Sequence, residues 1–184
     1  MSYDLIDKIS EYIASHPSLQ VFHTVSIADI EFAEERLGFP LPVLLREFYT
    51  KIGNGYAGSS SDIIGLSGGN CSDFGSLVET YPILKEGQES EGRKWKDGLL
   101  PFCDWGCNIL SCVDSTDSPH FVTTFEDFQL QPNSYSLEQF FEWWCEGVDI
   151  LAQEQMEIEA NEIVNPFTGQ KGKVYRRTAP RNED

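Results

Sequence analysis

Residues 99–114 read LLPFCDWGCNILSCVD and contain the clearest strand pattern of the chain. Two mainly apolar runs, residues 99–103 and 108–113, are separated by a turn of Asp104, Trp105 and Gly106. Short apolar runs that flank turn residues predict the two strands of a hairpin. Residues 62–66 and 121–125 predict two further strands, so the middle of the chain is rich in strands.

Helical patterns lie on both sides of this middle. Residues 3–14, 30–37 and 44–52 each place apolar side chains at helical spacing. The second of these follows Ser26-x-x-Asp29, which resembles a capping box, and precedes Gly38, which suits a left-handed helix end. Helices at both ends of a strand-rich middle predict an α+β fold rather than alternating α/β units.

Two longer segments determine the predicted boundaries. A helix over residues 77–84 is limited by Pro82, and the polar, glycine-containing residues 85–97 predict a loop. The apolar pattern that begins at Ser136 continues at helical spacing as far as Ile158, and Asn165-Pro166 then breaks it, which predicts a long C-terminal helix up to residue 164. We therefore expect one domain over residues 1–164 with helices at both ends, followed by a basic tail over residues 165–184.

Charge narrows the classes of function. The 184 residues carry 30 acidic and 13 basic side chains, for a net charge of −17. The excess is concentrated in residues 1–164, at −20, whereas the tail carries +3. The tail has five basic residues, Lys171, Lys173, Arg176, Arg177 and Arg181. A chain with this much negative charge repels phosphate backbones and anionic lipids. We therefore expect a basic protein partner and no nucleic-acid or membrane partner.

The expected location of the protein in the cell follows from two features that the sequence lacks. No stretch approaches the ~18 apolar residues that a membrane helix needs, and residues 1–7 lack the basic start of a signal peptide. The chain is therefore expected to be cytoplasmic. There its five cysteines would be free thiols, since a reducing compartment does not favour disulfides. They are Cys71, Cys103, Cys107, Cys112 and Cys145.

Two catalytic or metal-binding interpretations compete with a binding role. Residues 65–69 fit the G-x-S-x-G nucleophile motif around Ser67, and Asp114 and His120 follow in the order of a hydrolase triad. The neighbouring sequence favours a glycine turn, because it lacks the strand and helix that present such a serine. Cys103, Cys107 and Cys112 suggest a metal, but four tetrahedral ligands in paired spacing are missing, so we expect no metal, cofactor or catalytic residue.

Three blocks together resemble the SUKH superfamily, which includes the fungal Smi/Knr cell-wall regulators and many bacterial immunity proteins. The first comprises IEFAEERLGFPLP at residues 30–42, LLREFY at 44–49 and IGNG at 52–55. The second is the hairpin stretch at residues 99–114. The third is SLEQFFEWW at residues 136–144. The resemblance covers roughly residues 20 to 150.

The resemblance implies a single α+β domain whose mainly antiparallel sheet is backed by helices. It also implies a non-enzymatic protein that binds and neutralises a cognate toxin, often a nuclease. The fungal members imply an alternative role as an intracellular regulatory or scaffold module. An acidic protein that covers the basic cleft of a nuclease would act as a nucleic-acid mimic.

The candidate partner-binding residues are six carboxylates and two tryptophans in the turn-rich middle. The carboxylates are Asp62, Asp73, Asp97, Asp104, Asp114 and Asp117. Trp95 stands between Lys94 and Lys96, and Trp105 follows Asp104 at the hairpin turn. Each tryptophan is either a structural anchor of its loop or an aromatic anchor for a partner, since tryptophan is over-represented at binding hot spots.

Overall fold

A computed structural model describes residues 2–58, 61–126, 129–155, 159–164 and 171–176 of the chain. Its α-helices are α1 (Ser2–Ser15), α2 (Ile27–Leu37), α3 (Val43–Glu47), α4 (Leu77–Ser90), α5 (Leu137–Glu146) and α6 (Ile150–Gln155). Helix α3 continues directly into a π-helical turn, Phe48–Ile52.

The strands of the main sheet follow one another in space as they do in sequence. They are β1 (Gln20–Val21), β2 (Tyr56–Ala57), β3 (Asp62–Ile63), β4 (Leu99–Asp104), β5 (Leu110–Asp114), β6 (Phe121–Glu126) and β7 (Gln129–Ser136). Every neighbouring pair is antiparallel, which confirms the predicted α+β fold with an antiparallel sheet. Strands β8 (Glu159–Val164) and β9 (Lys171–Arg176) form a separate two-stranded sheet.

The predicted hairpin is the β4–β5 pair, with Leu100 opposite Val113. Strand β5 begins at Leu110 rather than at residue 108. The reason is a left-handed turn, in which Gly106, Cys107 and Asn108 have φ of 79°, 52° and 62°. Consecutive residues with positive φ cannot continue an extended strand.

An aromatic core joins the helices to the sheet. Phe48, Phe102, Phe140 and Phe141 are fully buried. The ring centroids of Phe102 on β4 and Phe140 on α5 are 4.8 Å apart, and those of Phe48 and Phe141 are 5.5 Å apart. Burial of these large rings stabilises the packing of α5 and the π-helical turn against the sheet.

The predicted ends of α2 are confirmed. The Ser26 hydroxyl accepts a hydrogen bond from the Asp29 N–H, and the Asp29 carboxylate accepts one from the Ser26 N–H, which makes the capping box. Gly38 closes the helix in the left-handed conformation, with φ of 83°.

Helix α4 is longer than the sequence predicts. It passes through Pro82 and ends at Ser90, so the predicted loop over residues 85–97 is wrong for its first half. Pro82 removes only one backbone donor from the helix. A capping box between Ser76 and Glu79 holds the start of α4, and Gln88 in its last turns is buried.

The long C-terminal helix is also wrong. Helix α5 ends at Glu146, because Gly147 adopts a left-handed conformation with φ of 70° and bonds back to the last turn. The short α6 follows, and then β8, where the sequence predicts helix. Ile158 lies outside the described residues. Part of the predicted tail is strand β9, and its remaining residues, 165–170 and 177–184, are also outside the described part.

Candidate functional site

A glycine turn beside the predicted acidic residues is held by two buried asparagines. Asn54 Oδ1 accepts a hydrogen bond from the Leu66 N–H at 2.7 Å, and Asn54 Nδ2 donates to the Ser67 carbonyl at 3.1 Å. Asn70 Nδ2 donates to the carbonyls of Tyr56 and Ile63 at 2.9 and 3.1 Å. The two amides therefore tie the turn to strands β2 and β3. Gly53-Asn54-Gly55 and Gly68-Gly69-Asn70 are typical turn sequences, but nothing in them indicates this bracing role.

Close packing explains two of the glycines. A Cβ atom on Gly65 or Gly69 would lie 2.3 or 2.2 Å from the Asn54 carbonyl oxygen, far inside van der Waals contact. The turn itself therefore requires the two glycines of the G-x-S-x-G pattern.

The other members of the hydrolase motif do not form a carboxylate–histidine pair. His120 Nδ1 lies 2.8 Å from the backbone carbonyl oxygen of Asp114. The Asp114 carboxylate instead accepts hydrogen bonds from Lys96 and Thr116. A triad needs the histidine to be oriented by that carboxylate, so this arrangement does not activate a serine.

Three of the predicted carboxylates come together at one end of β4. Asp62, Asp73 and Asp104, with Trp105 beside them, line a recess of about 250 Å³, which we call the acidic pocket. Asp62 Oδ1 accepts a hydrogen bond from the Gly58 N–H at 2.9 Å. Asp104 Oδ1 accepts one from the Gly106 N–H at 2.7 Å. Backbone donors thus fix two of these side chains.

Like charges face each other in the acidic pocket. Asp62 on β3 is directly opposite Asp104 on β4, a pairing that is unfavourable for two carboxylates. Burial, together with the charges of Asp73 and Asp62, raises the pKa of the Asp104 carboxyl above its ordinary value. Among the described residues, no lysine or arginine forms an ion pair with these three carboxylates.

Trp105 is half-buried at the edge of this pocket. Its Nε1 donates to Ser111 Oγ at 2.9 Å, and its ring lies 6.1 Å from that of Phe140. The indole is therefore anchored to the core while it lines the pocket.

The other three carboxylates lie beyond the opposite end of β4, where lysines neutralise them. Lys85 pairs with Asp97, and Lys96 pairs with both Asp114 and Asp117. We call this set the lysine-paired cluster. Burial alone would raise the pKa of Asp114, but the hydrogen bonds from Lys96 and Thr116 outweigh burial and leave it below its ordinary value.

Trp95 belongs to the core. Only 5% of its surface is exposed, its Nε1 donates to the Leu99 carbonyl at 3.1 Å, and its ring packs edge-on against Phe125. Of the two interpretations of this residue, the structural anchor is the one that the geometry supports, since a buried indole offers no contact area to a partner.

None of the five cysteines, all of which the structure describes, forms a disulfide. Cys103 and Cys112 are buried, Cys145 is partly buried, and Cys71 and Cys107 are exposed. Burial raises the pKa of the Cys112 thiol well above its ordinary value, so this sulfur is unreactive. In the part of the chain that the structure describes, no three His, Cys, Asp or Glu side chains are placed to hold a metal ion. Nor does any described helix combine the length and hydropathy needed to cross a bilayer.

A family model matches most of the described core of the chain. The model of the SMI1 / KNR4 family (SUKH-1) matches residues 24–143, nearly two-thirds of the chain. The matched region runs from the start of α2 into α5 and includes the whole acidic pocket. The search of curated proteins found no match.

Proposed function

The chain belongs to the SMI1/KNR4 family (SUKH-1), and from this premise we propose that it is an immunity protein that neutralises a bacterial toxin by binding it. Proteins of this family generally act by binding partner proteins rather than by catalysis. Membership of this family supports a role in protein binding. The acidic pocket supports a partner with basic side chains.

The observation that carries the proposal is the acidic pocket, whose carboxylates form no ion pair with a described lysine or arginine. Asp62 and Asp104 face each other there, and burial, with the charges of Asp73 and Asp62, raises the pKa of Asp104. A lysine or arginine from a partner would remove this repulsion while it gained charge-assisted hydrogen bonds. The pocket is therefore suited to a basic side chain on the toxin.

A nuclease fits this charge pattern. An enzyme that grips a phosphate backbone presents a basic cleft, and a protein of net charge −17 is attracted to such a cleft over long distances. The toxin would be inhibited by occlusion, with acidic side chains in the place of phosphates. The proposed site of action is the cytoplasm, where free cysteines such as those found here remain reduced.

An immunity role predicts a toxin gene beside this one, and the direct test uses the toxin domain that such a neighbour would encode. We expect the purified proteins to form a complex on gel filtration and the toxin to lose its activity in that complex. Steering by charge also predicts that the association rate falls steeply as ionic strength rises. Loss of toxicity without a complex, or an association rate insensitive to salt, would contradict the proposal.

Paired variants locate the interaction. Asp62→Asn with Asp73→Asn should weaken toxin binding about tenfold, because a charge-assisted contact at the centre of an interface contributes about 1.5–3 kcal/mol. The matched control is Asp97→Asn with Asp117→Asn, which removes the same charge from the lysine-paired cluster. We expect the control to change the dissociation constant less than twofold. Equal effects of both pairs would show that only net charge matters.

A regulatory or scaffold role is the second candidate, and the SMI1/KNR4 match itself favours it. This role predicts an isolated gene without a neighbouring toxin and a partner that keeps its activity in the complex. Inhibition of a toxin by the wild-type protein would decide against it.

A further inference from the structure

A second concave surface lies between helices that the acidic pocket does not involve. It is a groove of about 580 Å³ between α1, the start of α3, α5 and the loop over residues 118–120. We call it the helical groove. Its volume falls within the roughly 300–1,000 Å³ of pockets that enclose small ligands, so it can accept a few side chains of a partner.

The groove has an apolar floor and an exposed apolar wall. Leu5 and Leu44 form the floor and are buried, whereas Val43 on the wall is 64% exposed. Helix α3 docks on the core through Leu44 and Leu45, and Val43 points away from that contact. Its exposure serves no packing within the described part of the chain, so its apolar surface is free to be covered by another molecule.

The rim of the groove is acidic. Asp4, Glu138 and Glu142 contribute carboxylates, and no described lysine or arginine forms an ion pair with them. The one lysine in the lining, Lys8, forms an ion pair with Glu146 at 2.9 Å and is also attracted by Glu142. An acidic side chain in the first turn of a helix stabilises that helix through the helix dipole. Glu142 lies beyond the first turn of α5, so this stabilisation does not account for a glutamate at that position.

We propose that the helical groove docks a peptide segment of the partner in which apolar side chains are flanked by lysine or arginine. The apolar floor would bury the first kind of side chain, and the acidic rim would pair with the second. The proposal rests on the proposed function, since it assigns a second contact surface to the same basic partner. Because the rim is acidic and the floor is apolar, the groove favours a segment with both cationic and apolar side chains over a neutral segment.

The test uses the full-length protein and two synthetic 14-residue peptides of equal charge. One has leucine and lysine at helical spacing, and the other has serine in place of leucine. We expect the leucine–lysine peptide to bind at least tenfold more tightly by calorimetry, because only it buries apolar surface. In NMR spectra its addition should shift the methyl signals of Leu5, Val43 and Leu44. Equal affinities, or shifts elsewhere, would overturn the proposal.

Exposed substitutions keep the fold intact for this test. Val43→Ser should weaken binding of the leucine–lysine peptide about fivefold. Glu138→Gln with Glu142→Gln should weaken it by a similar factor at low salt. The matched control is Ile83→Ser, because Ile83 is 47% exposed on α4, outside the groove. A control effect as large as that of Val43→Ser would reject the groove as the site.

Other occupants give distinct results. If the tail of this chain fills the groove, removal of residues 165–184 should tighten peptide binding; if a second copy does, Val43→Ser should abolish a dimer seen by sedimentation. Either result would overturn the proposal.

Toxin binding that is unchanged by Val43→Ser would overturn the groove and leave the proposed function standing. Specific peptide binding without any toxin binding would overturn the proposed function and leave the groove standing.

Discussion

The two ends of strand β4 carry the same type of side chain in opposite electrostatic states. At one end, in the acidic pocket, Asp104 faces Asp62, and burial and like charges raise the pKa of Asp104. At the other end, Leu99 is opposite Asp114, and a lysine holds the pKa of Asp114 below its ordinary value. Cations supplied by the chain itself make the difference.

This contrast shows which part of a large negative charge is open to a partner. The carboxylates of the lysine-paired cluster already have their counter-charges and contribute to the structure of the 95–117 region. Those of the acidic pocket lack such partners among the described residues, and backbone N–H groups hold two of them, Asp62 and Asp104. A net charge of −17 therefore overstates the surface that can attract a basic protein.

The largest expected change in stability comes from a substitution in the glycine turn beside the acidic pocket. Gly69→Ala should destabilise the fold by about 3 kcal/mol, because the new Cβ would lie 2.2 Å from the Asn54 carbonyl oxygen. Chemical denaturation measures the change. The neighbouring Gly68→Ala is the control: its φ of 79° is unfavourable for alanine, but nothing lies within 4 Å, so about 1 kcal/mol is expected. Equal losses would show that packing against Asn54 is unimportant.

A smaller loss is expected from removing the central acid of the lysine-paired cluster. Asp114→Ala deprives Lys96 and the Thr116 N–H of a partly buried acceptor and should destabilise the protein by about 2 kcal/mol. Asp97→Ala removes an acid whose side chain is 82% exposed and should stay within about 0.5 kcal/mol of wild type. Thermal or urea unfolding compares the two. If Asp97→Ala were the more damaging, the cluster would not depend on Asp114.

The smallest effect has the opposite sign. Asp62→Asn should stabilise the protein by about 0.5 kcal/mol at neutral pH, since it removes a like-charge pair across β3 and β4 but keeps the acceptor for Gly58. The Asp104 pKa should fall towards its ordinary value, as NMR titration can measure. Because protonated Asp104 no longer repels Asp62, the gain should shrink as the pH falls through the raised pKa of Asp104. A stabilisation that persists below this pKa would contradict the charge explanation.

Local signals predicted much of the fold correctly. The hairpin of β4 and β5, the capping box of α2 and the left-handed Gly38 depend on neighbours in sequence, so the residues themselves reveal them. One error arose where distant contacts decide: helix α4 tolerates Pro82 because its buried side chains pack on the sheet. Strand β7 is different, since its pairing with β6 is local, but its residues are too polar to be recognised as a strand.

The candidate site was predicted only as a set of residue types. The sequence suggested eight partner-binding residues, and the structure brings Asp62, Asp73, Asp104 and Trp105 together in one pocket. Trp95 looked equivalent to Trp105 because both stand in polar turns, yet its indole is in the core. No feature of the sequence marked Val43 as a binding residue, since it is one more apolar residue next to the predicted helix over residues 44–52.

The class of fold, the family resemblance and the sign of the net charge could all be read from the amino-acid sequence, because they depend on local spacing and composition. Which carboxylates have a lysine beside them became visible only in the folded protein. Ion pairs such as Lys96 with Asp114 join residues 18 positions apart, and only the folded sheet sets their distance. An electrostatic interaction depends on separation in space, and that separation is not written in the order of residues.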